Sequence, residues 1–157
     1  MSKRKILVVD DELDVRETLE TVLKKLEFTP YTAASGEEAM EVIKNQEIDV
    51  VLSDLYMPGM NGIELLKRVK SASKNIVFLM ITAHPTIETA VDAIKKGAYD
   101  YLTKPFYMEE VNIKINRAME KHGLASSLKW ANGMIWALII SIPLWLVLGI
   151  ILASLLK

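Results

Sequence analysis

The sequence has no cysteine among its 157 residues. A disulfide framework and a thiolate metal site are therefore both excluded. The chain also has no excess of one charge, because 19 lysine and arginine residues stand against 20 aspartate and glutamate residues. This balance gives no electrostatic reason to expect nucleic acid as a partner, and we expect none.

Charge is missing altogether from one end of the chain. All 20 acidic residues and 17 of the 19 basic residues lie within residues 1–122, whereas no charged residue occurs from Trp130 to Leu156. The composition therefore predicts a charged domain over residues 1–122, a short linker over residues 123–129 and an apolar segment over residues 130–157.

The apolar segment has the length of a membrane span. The 23 residues from Met134 to Leu156 would form a helix of about 34 Å at roughly 1.5 Å per residue, against a hydrocarbon core of about 30 Å. Trp130 and Trp136 suit the interface at one end, and Pro143 is tolerated in such a helix as a kink. We therefore predict a single C-terminal transmembrane helix.

The alternative for this segment is a core helix or a helix that binds a partner. A helix on a soluble surface needs a polar stripe, yet Ser141 and Ser154 are the only hydroxyl side chains between Met134 and Leu156. Gly149 and Ala153, four residues apart, would let two such helices approach closely and form a homodimer. The sequence favours membrane anchoring.

Residues 1–122 alternate short apolar runs with segments of helical periodicity. Several runs are too uniformly apolar to have a face in water, which is typical of strands in a parallel sheet. The predicted strands are Lys5 to Val9, Thr29 to Ala33, Asp49 to Ser53, Ile76 to Ile81 and Asp100 to Thr103. Five strands alternating with five helices predict an α/β fold with a doubly wound five-stranded parallel sheet.

Polar side chains stand where four of these strands end. They are Asp10 and Asp11, Asp54, Thr82 and Lys104. The carboxyl ends of parallel strands line one crevice, so these five side chains are expected to converge there. Three carboxylates in one cleft repel one another unless a cation is present. The sequence therefore predicts a site for Mg²⁺ and a phosphoryl group.

These motifs together resemble the receiver domain of bacterial two-component response regulators, a flavodoxin-like fold. The resemblance covers about residues 4 to 121 and rests on four motifs in order. They are Asp10-Asp11, Asp54 followed by Met57-Pro58-Gly59-Met60-Asn61-Gly62, Thr82-Ala83, and Lys104-Pro105-Phe106.

The resemblance implies a role for each residue. Asp54 would take a phosphoryl group from a histidine kinase or a histidine phosphotransfer protein, with Thr82 and Lys104 binding the phosphoryl oxygens. Mg²⁺ would be held by Asp10, Asp11, Asp54 and the main-chain carbonyl of Tyr56. Thr82 and Tyr101 would form the switch, in which the aromatic ring turns inward on activation. Such a receiver is no enzyme, beyond promoting its own phosphorylation and dephosphorylation.

Simpler interpretations exist for each residue taken alone. The run Asp10-Asp11-Glu12 could merely cap the first helix, and Asp54 could form a turn. Thr82 could end a strand, Lys104 could be solvated and Tyr101 could pack in the core. Their joint position at one end of one sheet favours the functional interpretation. A phosphatase of the haloacid dehalogenase type would need an Asp-x-Asp pair at the first strand, and here the two aspartates are adjacent.

The sequence thus predicts a membrane-tethered single-domain response regulator with no DNA-binding output of its own. The alternative is a degenerate receiver that serves as a membrane docking scaffold and is indifferent to phosphate. Arg117, Lys121 and Lys129 precede the predicted span and only Lys157 follows it. This bias predicts a single-pass protein of the inner membrane with its receiver in the cytoplasm.

Overall fold

The computed structural model of the protein describes residues 3–120 and residue 139. The chain divides into two units, Met1–Met119 and Glu120–Lys157. The fold described below belongs to the first unit.

Five parallel strands form one sheet in the order β2-β1-β3-β4-β5. The strands are β1 (Lys5–Val9), β2 (Thr29–Ala33), β3 (Val50–Asp54), β4 (Val77–Thr82) and β5 (Asp100–Thr103). The helices between and after them are α1 (Leu13–Lys25), α2 (Gly36–Asn45), α3 (Gly62–Ala72), α4 (Ile87–Lys95) and α5 (108–120). Because the strand order reverses between β1 and β3, a crevice opens at the carboxyl edge of these two strands. The predicted five-stranded α/β fold with five helices is confirmed for the described residues.

Two apolar cores cover the two faces of the sheet. On one face, side chains such as Val51 and Phe78 pack against α2, α3 and α4. On the other, residues such as Leu52 and Ile81 pack against α1 and α5. Successive strand residues point to opposite faces, so a strand covered on both sides must be apolar throughout. This explains why β3 and β4 are buried along their whole length.

Two strands end one residue later than the sequence predicts. β3 runs to Asp54 and β4 to Thr82, because Asp54 pairs with Ile81 and Thr82 pairs with Thr103 in the sheet. The polar character of these two residues suggested loops. In the structure their main chains are part of the sheet, and only their side chains belong to the crevice.

The N-terminus of α3 lies very close to the end of β3. Asn61 caps the helix by accepting a hydrogen bond from the N–H of Glu64 at 2.9 Å. A Cβ on the next residue, Gly62, would lie 2.2 Å from the carbonyl oxygen of Asp54 and 3.0 Å from the Cα of Leu55. Glycine is therefore required at residue 62 by the close approach of two main chains.

No helix of residues 3–120 is both long enough and apolar enough to cross a membrane. The predicted linker over residues 123–129 and the predicted transmembrane helix over residues 130–157 lie outside the described residues, apart from residue 139. Both stay predictions, as do the domain boundaries at residues 122 and 129.

We expect Gly62→Ala to lower the free energy of unfolding by about 3 kcal/mol, because the added methyl group meets main-chain atoms that cannot move independently. Chemical denaturation of the full chain in mild detergent, followed by circular dichroism, measures this loss. Gly59→Ala is the matched control. Gly59 has φ of +73° but its Cβ would approach no atom closer than 3.7 Å, so only backbone strain of about 1–2 kcal/mol is expected. Equal losses in the two variants would contradict the steric argument.

Candidate functional site

Lys104 joins the ends of β1 and β3 across the crevice. Its Nζ donates hydrogen bonds to Asp10 Oδ2 at 2.8 Å and to Asp54 Oδ2 at 3.0 Å. A third carboxylate oxygen, Glu12 Oε1, lies 3.5 Å from the same nitrogen. The Lys104 side chain is 14% exposed and that of Asp10 is fully buried. One partly buried ammonium therefore faces two buried carboxylates, and the crevice keeps a net negative charge.

Both carboxylate oxygens of Asp54 are engaged. Oδ1 accepts hydrogen bonds from the main-chain N–H groups of Leu55 at 2.6 Å and Tyr56 at 3.4 Å, while Oδ2 accepts from Lys104. These bonds fix the orientation of the carboxylate at the end of β3. Asp54 and Asp10 are both buried and both contact Lys104, but Asp54 is the one whose carboxylate is oriented by two main-chain N–H groups.

The loop from β1 to α1 is arranged by Arg16. Its guanidinium donates to the main-chain carbonyls of Asp10 at 2.6 Å and Asp11 at 3.0 Å. Asp10 Oδ1 accepts from the N–H of Glu12 at 2.9 Å, and α1 has no other side-chain cap at its N-terminus. Asp10 therefore supports the start of the helix with one oxygen and binds Lys104 with the other. The contact with the N–H of Glu12 agrees with the simpler capping interpretation, and the metal-binding role of Asp10 stays a prediction.

Three carboxylates could share a metal ion, and they differ from the predicted set in one member. Oxygens of Asp10, Glu12 and Asp54 lie within 4.8 Å of one another. Asp11 is exposed and does not belong to this group. Tyr56 lies beside Asp54 and is 60% exposed. The roles predicted for Asp11 and for the Tyr56 carbonyl stay predictions.

The donor set of this group suits Mg²⁺. Mg²⁺ is a hard cation with oxygen ligands at about 2.0–2.1 Å, so that ligand atoms on opposite sides of the ion are about 4 Å apart. Oxygens within 4.8 Å of one another reach that spacing with small movements of exposed side chains such as Glu12. Asp10, Asp54 and either Glu12 or Asp11 would hold the ion.

The pKa values of Asp10 and Lys104 are both shifted, by burial and by the hydrogen bonds between charged groups in the crevice. Burial raises the pKa of the Asp10 carboxyl above its usual value of 3.8, although the hydrogen bond from Lys104 opposes the rise. Burial lowers the pKa of Lys104, but its hydrogen bonds to Asp10 and Asp54 outweigh this effect and leave the pKa raised above 10.5. Burial thus disfavours the charged form of Asp10, and a further cation beside it would favour that form.

Thr82 and Tyr101 lie on the neighbouring strands. Thr82 is buried at the end of β4, and its Oγ1 accepts a hydrogen bond from the N–H of His84 at 3.2 Å. The hydroxyl hydrogen remains available as a donor. Tyr101, on β5, is 37% exposed, and with Thr82 it lines a cavity of about 10 Å³. The structure brings Asp10 and Asp54 into contact with Lys104. Thr82 stands at the end of the neighbouring strand β4, and Tyr101 lies on β5, the next strand along.

Sequence reasoning missed two residues of the site. Glu12 directly follows the Asp10-Asp11 pair, and a run of three acids after a strand could have indicated it. Arg16 lies one turn into α1, where a basic residue facing back to the preceding loop leaves no distinct signal in the sequence. Its contribution depends on hydrogen bonds to main-chain carbonyls, which only the structure reveals.

Comparison with known families agrees with this geometry. The family profile of the response regulator receiver domain matches residues 6–116. The chain is 36% identical over 125 residues to the regulatory protein AtoC of Escherichia coli and 38% identical over 122 residues to a putative NtrX-like response regulator of Rickettsia bellii. These alignments cover 80% and 76% of this chain but 27% and 26% of the two relatives. The chain thus spans about a quarter of the length of these relatives.

Solved structures show the same fold. The chemotaxis protein CheY4 of Vibrio cholerae superposes with a TM-score of 0.72 at 32% identity, covering 74% of this chain and 99% of CheY4. NtrX of Brucella abortus gives a TM-score of 0.78 at 32% identity, covering 82% of this chain and 29% of NtrX.

We expect Lys104→Met to lower the free energy of unfolding at pH 7 by about 3–5 kcal/mol, because two buried carboxylates lose their counter-charge. Thermal and chemical unfolding across pH measures it. The raised pKa of Lys104 means that its contribution is fully present below pH 10.5 and is lost as pH rises through the higher folded-state value. The difference should also shrink at acid pH, where Asp10, whose pKa is raised above 3.8, becomes neutral.

The matched control for this variant is Lys24→Met. Lys24 forms an ion pair with Glu20 on the surface of α1, and its side chain is 61% exposed. The expected loss is at most about 0.5 kcal/mol. Addition of Mg²⁺ should restore part of the stability of Lys104→Met. In Lys24→Met, the same addition should change the free energy of unfolding by as much as it does in the wild type. A Lys104→Met variant as stable as the control would contradict the role of the buried ammonium.

Proposed function

The chain belongs to the response regulator receiver domain family, and from this membership we propose that it is a membrane-tethered receiver phosphorylated on Asp54. The phosphoryl donor is the phosphohistidine of a histidine kinase or of a histidine phosphotransfer protein. Receivers are signalling modules, and this one acts through protein contacts or by passing the phosphoryl group on.

The contact of Lys104 with both Asp10 and Asp54 carries the proposal. It joins residues 94 and 50 positions apart in the chain, and it places a nucleophile, an acidic metal-binding group and a cation in one crevice. A solvated lysine or a turn-forming aspartate would need none of this burial. Thr82 at the end of β4 supports the proposal, because its hydroxyl can donate to an oxygen of the incoming group.

In the proposed reaction, a carboxylate oxygen of Asp54 forms a bond to phosphorus while the P–N bond to the donor histidine breaks. The imidazole nitrogen keeps the electron pair of that bond. Bound Mg²⁺ would supply the positive charge that lets an anionic carboxylate approach an anionic phosphoryl group. Lys104 stabilises the charge on the transferring group, and the N–H groups of Leu55 and Tyr56 keep the carboxylate oriented.

The switch follows from Thr82 and Tyr101. When Thr82 donates to a phosphoryl oxygen, the loop after β4 is drawn towards Asp54. This movement makes room for the ring of Tyr101, which turns inward and alters the surface formed by α4, β5 and α5. A local change of charge is thereby converted into a change of surface.

We expect Asp54→Ala to abolish labelling when the full chain, in mild detergent, is incubated with acetyl phosphate and Mg²⁺. The reason is that Asp54 contacts Lys104 and is oriented by two main-chain N–H groups, whereas Asp10, which also contacts Lys104, has a fully buried side chain that an incoming group cannot reach. Chelation of Mg²⁺ should abolish labelling as well. Detection of an acid-stable, base-labile acyl phosphate by electrophoresis and mass spectrometry is the measurement.

Asp49→Asn is the matched control and should leave labelling unchanged. Asp49 accepts hydrogen bonds at the opposite end of the strands, away from the crevice. Comparison of Asp11→Ala with Glu12→Ala shows which acid completes the metal-binding group. Labelling of Asp54→Ala at the wild-type level would contradict the assignment of the nucleophile. A wild-type chain that never labels, yet still docks at the membrane, would favour the phosphate-independent scaffold.

Membrane tethering is supported by the sequence after residue 122. No charge occurs from Trp130 to Leu156, and the linker over residues 123–129 reaches at most about 25 Å when fully extended. We propose that the receiver stays on the cytoplasmic side of the inner membrane, close to the bilayer. Its kinase would then be a membrane protein or a protein near the membrane, and Gly149 and Ala153 would let two spans pair.

We expect the full chain to remain in the membrane fraction after carbonate extraction, because a charge-free apolar segment of this length is more stable in the hydrocarbon core than in water. A chain ending at His122 should be soluble. Leu146→Arg is the matched control within the span, since an arginine at the centre of a transmembrane helix costs roughly 2.5–3.5 kcal/mol and should reduce insertion. Release of the full chain by carbonate would contradict a spanning helix and favour a helix that binds a partner protein.

A further inference from the structure

Lys114 of α5 contacts two consecutive residues of β5. Its Nζ donates a hydrogen bond to Asp100 Oδ2 at 2.7 Å, and the same nitrogen lies 5.5 Å from the centre of the Tyr101 ring. The Lys114 side chain is 23% exposed. The ammonium is therefore partly withdrawn from water and lies within the distance at which a cation is attracted to an aromatic ring.

Asp100 determines where this ammonium can be. One of its carboxylate oxygens accepts from Lys114, and the other, Oδ1, accepts from the main-chain N–H of Tyr101 at 2.8 Å. The carboxylate thus ties the Lys114 side chain to the backbone of the residue whose ring it contacts. If the ring rotates, the backbone of Tyr101 and the ammonium of Lys114 both stay in place.

The ring of Tyr101 lies beside a small cavity at the end of β4. The cavity that Thr82 and Tyr101 share with Ala90 and Ala93 of α4 measures about 10 Å³. That volume is about the least that holds one water molecule, so an inward turn of the ring requires the surrounding side chains to move. In the conformation described, the ring is outward and within reach of the Lys114 ammonium.

We propose that Lys114 is a positioning residue of the switch: it stabilises the outward ring of Tyr101 and so favours the inactive state of the receiver. The inference rests on the proposed function, in which Tyr101 turns inward. Because Asp100 holds the ammonium, the contact between Lys114 and the ring exists only in the outward state. A contact made in one of two states shifts the population towards that state.

The experiment measures the affinity of the full chain, in detergent micelles, for beryllofluoride in the presence of Mg²⁺. Beryllofluoride replaces the phosphoryl group on Asp54 and binds the active state more tightly. Lys114→Met keeps an unbranched apolar side chain and removes the charge. The expected result is an affinity for beryllofluoride about two- to fivefold higher than that of the wild type. This increase corresponds to the strength of an exposed cation–aromatic contact. The affinity for Mg²⁺ alone should be unchanged.

Lys44→Met is the matched control, because Lys44 also forms an ion pair, with Glu41 on α2, but contacts no aromatic ring in the described part of the chain. It should leave both affinities unchanged. The change caused by Lys114→Met should also disappear in a Tyr101→Leu background, since the proposed effect acts through the ring. A merely structural role of Lys114 would persist in that background, and such persistence would overturn the inference.

A second measurement needs no ligand. The ring-carbon NMR signals of Tyr101 in the unliganded full chain should move, in Lys114→Met, towards the values seen with beryllofluoride or, if no complex forms, towards those of a buried ring. Unchanged signals in Lys114→Met would overturn the inference. Failure of the wild type to bind beryllofluoride with Mg²⁺ would instead contradict the proposed function, and the ring signals would still show whether Lys114 holds Tyr101 outward.

Discussion

The site depends on one ammonium group placed between two buried carboxylates. Without Lys104, Asp10 and Asp54 would face each other at the ends of β1 and β3 with no counter-charge. Burial already raises the pKa of Asp10, and the hydrogen bond from Lys104 opposes that rise. Lys104 contacts both carboxylates. It also leaves the crevice with more negative than positive charge, so that a divalent cation is attracted to it. The three side chains that balance charge in the crevice are thus also the ones to which the proposed chemistry is assigned.

The two-sided core fixes where the site residues stand. β3 and β4 are covered on both faces, and their last residues, Asp54 and Thr82, remain paired in the sheet. The helix after β3 begins so close to Asp54 that only glycine fits at residue 62. By contrast, α4 exposes apolar side chains such as Ile87, which is 85% exposed, and Ala93 is its one buried residue. The candidate site thus stands on fully buried strands, whereas the neighbouring helix buries little of its surface.

Much of this could be predicted from the sequence, because the signals are local. Uniform apolar runs revealed the strands, and the polar residues that follow them revealed the crevice. The sequence did not show that Glu12 rather than Asp11 lies beside Asp10 and Asp54, because adjacent acids in a loop differ only in the direction of their side chains. Arg16 was missed because its partners are main-chain carbonyls. Lys114 was missed because its partners, a carboxylate and an aromatic ring, lie on another element of the fold. Contacts of this kind leave no periodic pattern. The predicted segment over residues 130–157 rests on composition alone.

The pairing of Thr82 with Thr103, next to Lys104, has a consequence for how such chains can change in length. The N–H of Lys104 donates to the carbonyl oxygen of Thr82 at 2.8 Å, so the two residues that would contact phosphoryl oxygens are held side by side by the backbone. Insertions or deletions in the connection from residue 83 to residue 99 can alter α4 without moving either of them. A single residue lost from β5 would instead turn every following side chain to the opposite face of the sheet. A change in the length of the connection from residue 83 to residue 99 would therefore leave the paired ends of β4 and β5 intact, whereas a change in the length of either strand would not.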